Sequence, residues 1–195
     1  MATVIANLSM SIDGFIAGPD DGVEDIFTWY GDGPEVVESF GGHRFQLHEP
    51  SASVLRAAFE RTGAFLVGRR LYDHTNGWNG RPPVEAPMVV VTHDPPDDWP
   101  RDGVPITFVS DGIGHAVAEA SALAGDRVVA VAGAAVAREC LAAGLLDEIM
   151  INLVPVAIGR GIPFLAGVAN APIRFEDPEV IEAPGVTHLR YRVRR

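Results

Sequence analysis

The sequence predicts an α/β fold: three layers, with a central, mixed and mostly parallel sheet, helices on both faces, and a C-terminal antiparallel hairpin. Three observations carry this. Short apolar runs alternate with helical patterns along most of the chain. Val128 to Val156 reads as strand, glycine turn, helix, strand, the unit of a parallel crossover. The last two candidate strands are separated only by Ala183-Pro184-Gly185, which suits antiparallel partners.

The chain opens on a strand, Thr3 to Ser9, whose polar end runs into the turn pair Asp13-Gly14. Phe15 to Ala17 is a short apolar tongue, stopped at Gly18-Pro19. Residues 20 to 50 carry acids and aromatics without a clear period. A weak helix is expected over Pro34 to Phe40, broken by Gly41-Gly42. So long and partly apolar a connection is expected to cover something, as a substrate lid or a dimer contact. Ser51 is placed as the N-cap of a helix over Ala52 to Thr62, with Leu55 and Phe59 as i,i+4 partners. Gly63 ends that helix. The strand Ala64 to Val67 leads into Gly68-Arg69-Arg70 and a short helix, Leu71 to Asn76.

After a Pro/Gly/Arg loop, Asn79 to Ala86, the run Pro87 to Thr92 reads as a buried strand and Asp94 to Pro100 as a surface loop. Ile106 to Val109 is the next strand. Ser110-Asp111 reads as an N-cap pair for a helix over Ile113 to Leu123, burying Ile113, Val117, Ala120 and Leu123. Val128 to Ala132, Ala134 to Ala143 and Asp147 to Val154 follow as strand, helix and strand. Gly133 stands at the first exit, and Gly144 stops the helix. A rigid loop, Gly159 to Phe164, precedes two final strands, Ile173 to Ile181 and Val186 to Val193. In the last, Leu189, Tyr191 and Val193 alternate with His188, Arg190 and Arg192, predicting one solvated face.

With 195 residues, 47% of them hydrophobic, the chain is expected to form a single domain over 1–195 with a sizeable core. The formal charge of -11 provides no phosphate-neutralising excess, so no nucleic-acid partner is expected. A small anionic cofactor needs only a few local arginines. The lone Cys140 excludes an internal disulfide and fits a buried thiol. No apolar run reaches membrane-spanning length and no signal peptide is legible, so the expected location is the cytoplasm, away from membranes.

Candidate chemistry sits at strand exits. Gly133 places the helix start Ala134-Ala135-Val136, with free backbone N–H groups, where phosphate would be favoured. The alternative is a tight turn that needs close backbone approach. Gly68-Arg69-Arg70 puts two guanidinium groups at a second exit, for gripping a phosphate or simply solvated. Thr92 and Ser110 end two further strands and can line the same groove. Two such junctions suit an extended dinucleotide and hence NADPH, with Arg69 or Arg70 at the 2′-phosphate; a flavin is the rival. Asp13 is the candidate for substrate orientation or acid work, its carboxyl expected to be raised by partial burial beside Phe15 and Ile16. The alternative is a turn that caps its own backbone. Phe27, Trp29 and Trp78 are candidate stacking partners for a heterocycle. The six histidines form no metal-ligating spacing, so no metal is expected. Asp147-Glu148 reads as a solvated turn or a brace.

Four stretches, taken together, resemble the dihydrofolate-reductase-like superfamily, and most of all the reductase domain of riboflavin biosynthesis and its small stand-alone bacterial relatives. They are Ser9 to Gly18 (SMSIDGFIAG), Gly68 to Asp73 (GRRLYD), Val131 to Ala134 continuing through Gly144 to Glu148, and Pro155 to Phe164 (PVAIGRGIPF). They cover nearly the whole chain in the family's order, and are more specific for fold than for substrate. The resemblance implies an NADPH-dependent reductase of a small heterocyclic or carbonyl- or imine-bearing substrate. It implies the phosphate side at Gly68 to Arg70, the pyrophosphate at the Gly133 turn, Asp13 on the substrate side, and a homodimer. The family has two glycines at the strand-exit turn where this chain has Gly133-Ala134. The added methyl is expected to crowd the pyrophosphate or shift the backbone. Dihydrofolate reductases carry their acid on the first long helix, where only Glu60 is available here. A dihydrofolate reductase, and a nucleotide-binding or regulatory dimer without turnover, are the alternatives.

Overall fold

The computed structural model describes residues 2–97 and 105–194. Its centre is an eight-stranded sheet. In chain order the strands of this sheet and its companions are β1 (Thr3–Ser11), β2 (Phe15–Ala17), β3 (Glu35–Glu38), β4 (Arg44–Leu47), β5 (Thr62–Gly68), β6 (Met88–Val91), β7 (Ile106–Val109), β8 (Val128–Ala132), β9 (Glu148–Val154), β10 (Ile162–Pro163), β11 (Glu179–Ala183) and β12 (Val186–Arg192). The helices are α1 (Glu49–Arg61), α2 (Arg69–His74), α3 (Ile113–Ala124) and α4 (Ala134–Ala142). The sheet order is β11-β12-β9-β1-β8-β5-β6-β7. From β9 to β7 every pairing is parallel, while β12 runs antiparallel to both β9 and β11.

Both faces are covered, which explains the unbroken apolar run of β5. Ala64 and Leu66 join the core under α3 and α4, while Phe65 and Val67 join a second cluster with Phe59 of α1 and Leu71 and Tyr72 of α2. A strand buried on both sides needs no polar alternation. Cys140 is fully buried in the first cluster, and burial pushes its thiol up to about 12, so it is an inert packing group.

Several expectations fail for identifiable reasons. Pro34 to Phe40 is no helix: β3 pairs with β4 as a hairpin turning at Gly41-Gly42. Val37 is buried and Val36 exposed, the period of a strand, and β-branched neighbours favour it. A side chain at Gly33 would collide with the Leu47 backbone, 1.8 Å from its carbonyl carbon, so the two segments meet only through a glycine. Ser51 does not cap α1, which begins earlier, at Glu49; its hydroxyl serves His188 instead. Gly63 lies inside β5, where an added Cβ would stand 2.7 Å from the Ala124 carbonyl oxygen. Gly112, at φ +105, and not Ser110-Asp111, precedes α3; Asp111 instead binds His115 at 2.5 Å. Leu123 is exposed, and α3 buries Ala116, Val117, Ala120 and Ala124. The penultimate strand starts only at Glu179, after Pro178, which has no N–H for a ladder. Trp99 and the end of the Asp94–Pro100 loop lie outside the described residues.

His188 contradicts the solvated face expected for β12. It is buried, and a polar chain runs through it. Ser51 Oγ lies 2.9 Å from Nε2, and Nδ1 donates to Asn152 Oδ1 at 2.7 Å. Asn152 Nδ2 in turn donates to Asn7 Oδ1 at 2.9 Å. The chain ties α1, β12, β9 and β1 together. Trp29 packs edge-on against the imidazole at 5.2 Å and donates to Ser9 Oγ at 3.2 Å. Asp147 and Glu148 act as a brace: Asp147 accepts the Val4 N–H at 2.9 Å, and buried Glu148 pairs with Arg190 at 2.7 Å.

Burial lowers the His188 pKa to about 4, against 6.5 for a free imidazole. The unfolded chain therefore takes up a proton first as pH falls. Stability is complete above the unfolded value and declines from there toward the folded one. The difference corresponds to about 3 kcal/mol. Urea denaturation should show stability falling by that order between pH 7 and pH 4, and His188→Gln should flatten this part of the profile. Parallel profiles for the two proteins would refute it.

Candidate functional site

The exits of β9, β1, β8, β5, β6 and β7 lie side by side because these strands are parallel. From the β8 exit to the β7 exit there are three inter-strand steps, a groove floor of about 14 Å. Asp13, Gly68 to Arg70, Thr92, Ser110 and Gly133 to Val136 follow or end strands on this one edge.

At its centre is Gly133, with φ +94 and ψ 134, a conformation that disfavours any side chain. A Cβ there would meet nothing closer than Leu71 Cδ2 at 4.0 Å, so the space above the turn is open. Helix α4 begins at Ala134, and the N–H groups of Ala134, Ala135 and Val136 have no partner within the helix. Ala134 itself is 3% exposed and belongs to the main core. Its methyl is therefore packed into the core below the turn. Ala135 is exposed; Val136 is buried and packs toward Gly68, where an added Cβ would lie 3.0 Å from Val136 Cγ2.

The two arginines diverge. Arg69 Nε donates to both carboxylate oxygens of Asp73, at 2.8 and 2.9 Å, and Nη1 donates to the Asp94 carbonyl just beyond β6. It thus reaches along the groove toward Thr92 and Ser110. Arg70 turns the other way: Nε and Nη2 donate to Asp21 Oδ2 at 3.2 and 2.9 Å, in the loop after β2. Thr92 is buried and closes its own turn, exchanging bonds of 3.1 Å with the Asp94 N–H and carbonyl. Its N–H donates to the Val109 carbonyl at 3.0 Å, which sets exposed Ser110 beside it.

Asp13 stands on the other flank, past the end of β1, and is exposed. Ser11 Oγ donates to it at 2.5 Å, and the N–H groups of Ile158 and Gly159 donate at 3.1 and 2.6 Å. The Ser11 bond, then the Gly159 bond, hold the carboxyl below its ordinary value; the expected upward shift is wrong, because donors and not burial dominate. Ser11 and the backbone of Asp13 itself are local turn contacts, but Ile158 and Gly159 are remote in sequence. They clasp the loop after β9 onto the β1 turn, an attachment continued by Ile12 N–H to Val156 at 2.9 Å, Phe164 N–H to Gly14 at 2.9 Å, and the β2–β10 pairing.

Of the aromatics, Trp29 is buried, Trp78 is half-buried with its ring 5.6 Å from Phe65, and Phe27 is partly exposed, 5.1 Å from Tyr30. On α1, Glu49 binds Ser53 and Arg56, and exposed Glu60 lines a separate cavity of about 260 Å³ with Val36 and Phe59. Sequence reasoning missed Asp21 and the Asp94 carbonyl. Only Asp73, four residues after Arg69, was legible as a helix-spaced partner.

The model of the RibD C-terminal domain matches residues 2–183. The chain belongs to the RibD C-terminal domain family. Solved structures agree in fold. A Shewanella sp. PV-4 protein named for riboflavin biosynthesis superposes with a TM-score of 0.75 at 19% identity, each chain fully covered. A Thermotoga maritima diaminohydroxyphosphoribosylaminopyrimidine deaminase/5-amino-6-(5-phosphoribosylamino)uracil reductase gives 0.63 at 13% identity, with 99% of this chain matching 57% of that one. Dihydrofolate reductase from Enterococcus faecalis, solved with NADP(H), gives 0.54 at 16% identity over 99% and 97% of the two chains. The superfamily and the three-layer α/β architecture read from the sequence are therefore correct.

The inward Ala134 methyl yields a test. Ala134→Gly removes a buried methyl and loosens the first turn of α4, and should lower unfolding free energy by about 1 kcal/mol. Denaturant titration reads this directly; a variant as stable as the parent would show that the methyl is not packed.

Proposed function

We infer that this chain is an NADPH-dependent reductase of a small heterocyclic or carbonyl- or imine-bearing substrate, related to the reduction step of riboflavin biosynthesis. The observation that carries the reading is the open, glycine-floored turn at Gly133 beside Arg69, which spans the β5 and β6 exits. Membership of the RibD C-terminal domain family supports a reductase, and the NADP(H) held by the Enterococcus dihydrofolate reductase supports the cofactor.

When bound, the nicotinamide cofactor supplies the hydride. The chain's own residues bind and orient. The N–H groups of Ala134 to Val136 face the pyrophosphate, and Gly133 leaves it room. Arg69, already drawn toward the β6 loop, takes the 2′-phosphate together with Thr92 and Ser110, while Arg70 serves the β1 side. Asp13 remains a carboxylate at neutral pH because its donors favour the anion. It accepts hydrogen bonds from substrate or an ordered water and has no proton of its own to give. The proton that follows the hydride therefore comes from water. Dihydrofolate is a poorer substrate candidate: Glu60 lies at the C-terminal end of α1, next to the start of β5 and not its exit, and Glu49 is already bonded by Ser53 and Arg56.

Titration with NADPH, followed by fluorescence of the three tryptophans, should saturate; no response at millimolar concentration would sink the reading. Arg69→Gln should weaken NADPH roughly tenfold, the worth of one charge-assisted contact, and NADH much less. Equal losses would refute the 2′-phosphate role. Oxidation of NADPH by 5-amino-6-(5-phosphoribosylamino)uracil or by dihydrofolate then reports turnover; tight binding with neither consumed would favour a regulatory dimer.

Asp13→Asn separates orientation from acid catalysis. The variant should lower kcat roughly tenfold while keeping the shape of the pH–rate profile, the size expected for one lost orienting contact. Disappearance of an acidic limb from that profile would instead make Asp13 the proton donor.

A further inference from the structure

Arg70 and Asp21 are 49 positions apart in sequence and joined by two contacts, Nε and Nη2 both donating to one oxygen of Asp21. Their placement is what matters. Asp21 lies in the loop after β2, on the β1 side. Arg70 opens α2, on the β5 side. In the sheet the strand between β1 and β5 is β8, whose exit is Gly133. The pair therefore links the two walls that flank the open turn. The loop from Gly18 to Gly22 is otherwise closed by the Gly18 N–H on the Gly22 carbonyl at 2.7 Å, with Asp21 in a left-handed conformation at φ +60.

The two arginines differ in how their partners are held. Asp73 sits four residues from Arg69 on the same helix and travels with it. Asp21 belongs to a separate segment and can leave. Arg70 is 70% exposed and Asp21 28%, so the pair meets solvent and is weak by itself.

We propose that Asp21 occupies the guanidinium edge of Arg70 that a cofactor phosphate takes, so that cofactor binding exchanges one anion for another and releases the 18–22 loop from the β5 wall. This rests on the NADPH reading for the identity of the anion, but the latch itself does not. Carboxylate and phosphate compete for the same Nε and Nη2 donors, and Asp21 thereby sets cofactor affinity from outside the binding residues.

Asp21→Asn should bind NADPH about fivefold more tightly at low salt, the upper worth of an exposed ion pair, and the gain should shrink at high ionic strength. In amide exchange without any cofactor, the Gly18 N–H should exchange faster in Asp21→Asn and in Arg70→Gln than in the parent. Inorganic pyrophosphate should accelerate Gly18 exchange in the parent and have no such effect in Arg70→Gln. An Asp21→Asn variant with unchanged or weaker NADPH affinity overturns the competition, and unchanged Gly18 exchange overturns the latch. If no protein binds NADPH, the reductase reading falls, while the exchange and pyrophosphate measurements still decide the latch.

Discussion

The seating of α4 against the exits of β5 and β8 is the contact on which the rest depends. Val136 comes so near Gly68 that an added Cβ would have only 3.0 Å, and the helix turns inward Ala134, Ala137, Cys140 and Leu141. Small residues let the helix lie low on the sheet. Because it lies low, its first turn opens at the level of the strand ends and not above them. The backbone N–H groups of that turn and the Arg69 side chain then share one edge. A bulkier residue at position 68 would lift the helix and separate the two halves of the groove, with the strands themselves unaltered.

Charge explains why this edge is discriminating. The protein carries a net -11, so an anion approaching it at large is repelled, and only local geometry can reverse the sign. Arg69 and Arg70 provide that reversal, yet each is already matched by a carboxylate. A matched guanidinium is held in place and costs less side-chain entropy to engage, at the expense of competition for its donors. Opposite directions of reach, one toward β6 and one toward the β1 loop, give the two arginines different tasks although they are neighbours in sequence.

Much of this was legible from residues alone. The strand exits at Gly68 and Gly133 follow from apolar runs ending in glycine, and the crossover from Val128 to Val156 needs no more than its own pattern. What was not legible depends on partners far away in sequence. Ser51 has every local mark of a cap, but α1 begins before it and its hydroxyl is taken by His188, 137 positions later. His188 falls in the same alternating set as Arg190 and Arg192, and only the arrival of α1 and Trp29 buries it. Val36 and Val37 between glutamates support a weak helix or a strand equally; pairing with β4 decides. At Ala134 the sequence shows an added methyl but not which way it points; the fold packs it into the core.

Asp13 shows the same limit in its chemistry. An aspartate between apolar neighbours at a strand end invites a raised pKa. The pKa follows the atoms that touch the carboxylate, however, and here a hydroxyl and two backbone N–H groups all prefer the anion. Those same donors belong to the β1 turn and the loop after β9, so the interactions that deny Asp13 a proton also hold that loop against the strand exit. A protonated Asp13 could keep at most part of this clasp, since one of its oxygens would become a donor facing donors. Acid catalysis by Asp13 would thus loosen the wall of its own site in each turnover. Orientation by a permanent carboxylate carries no such conflict.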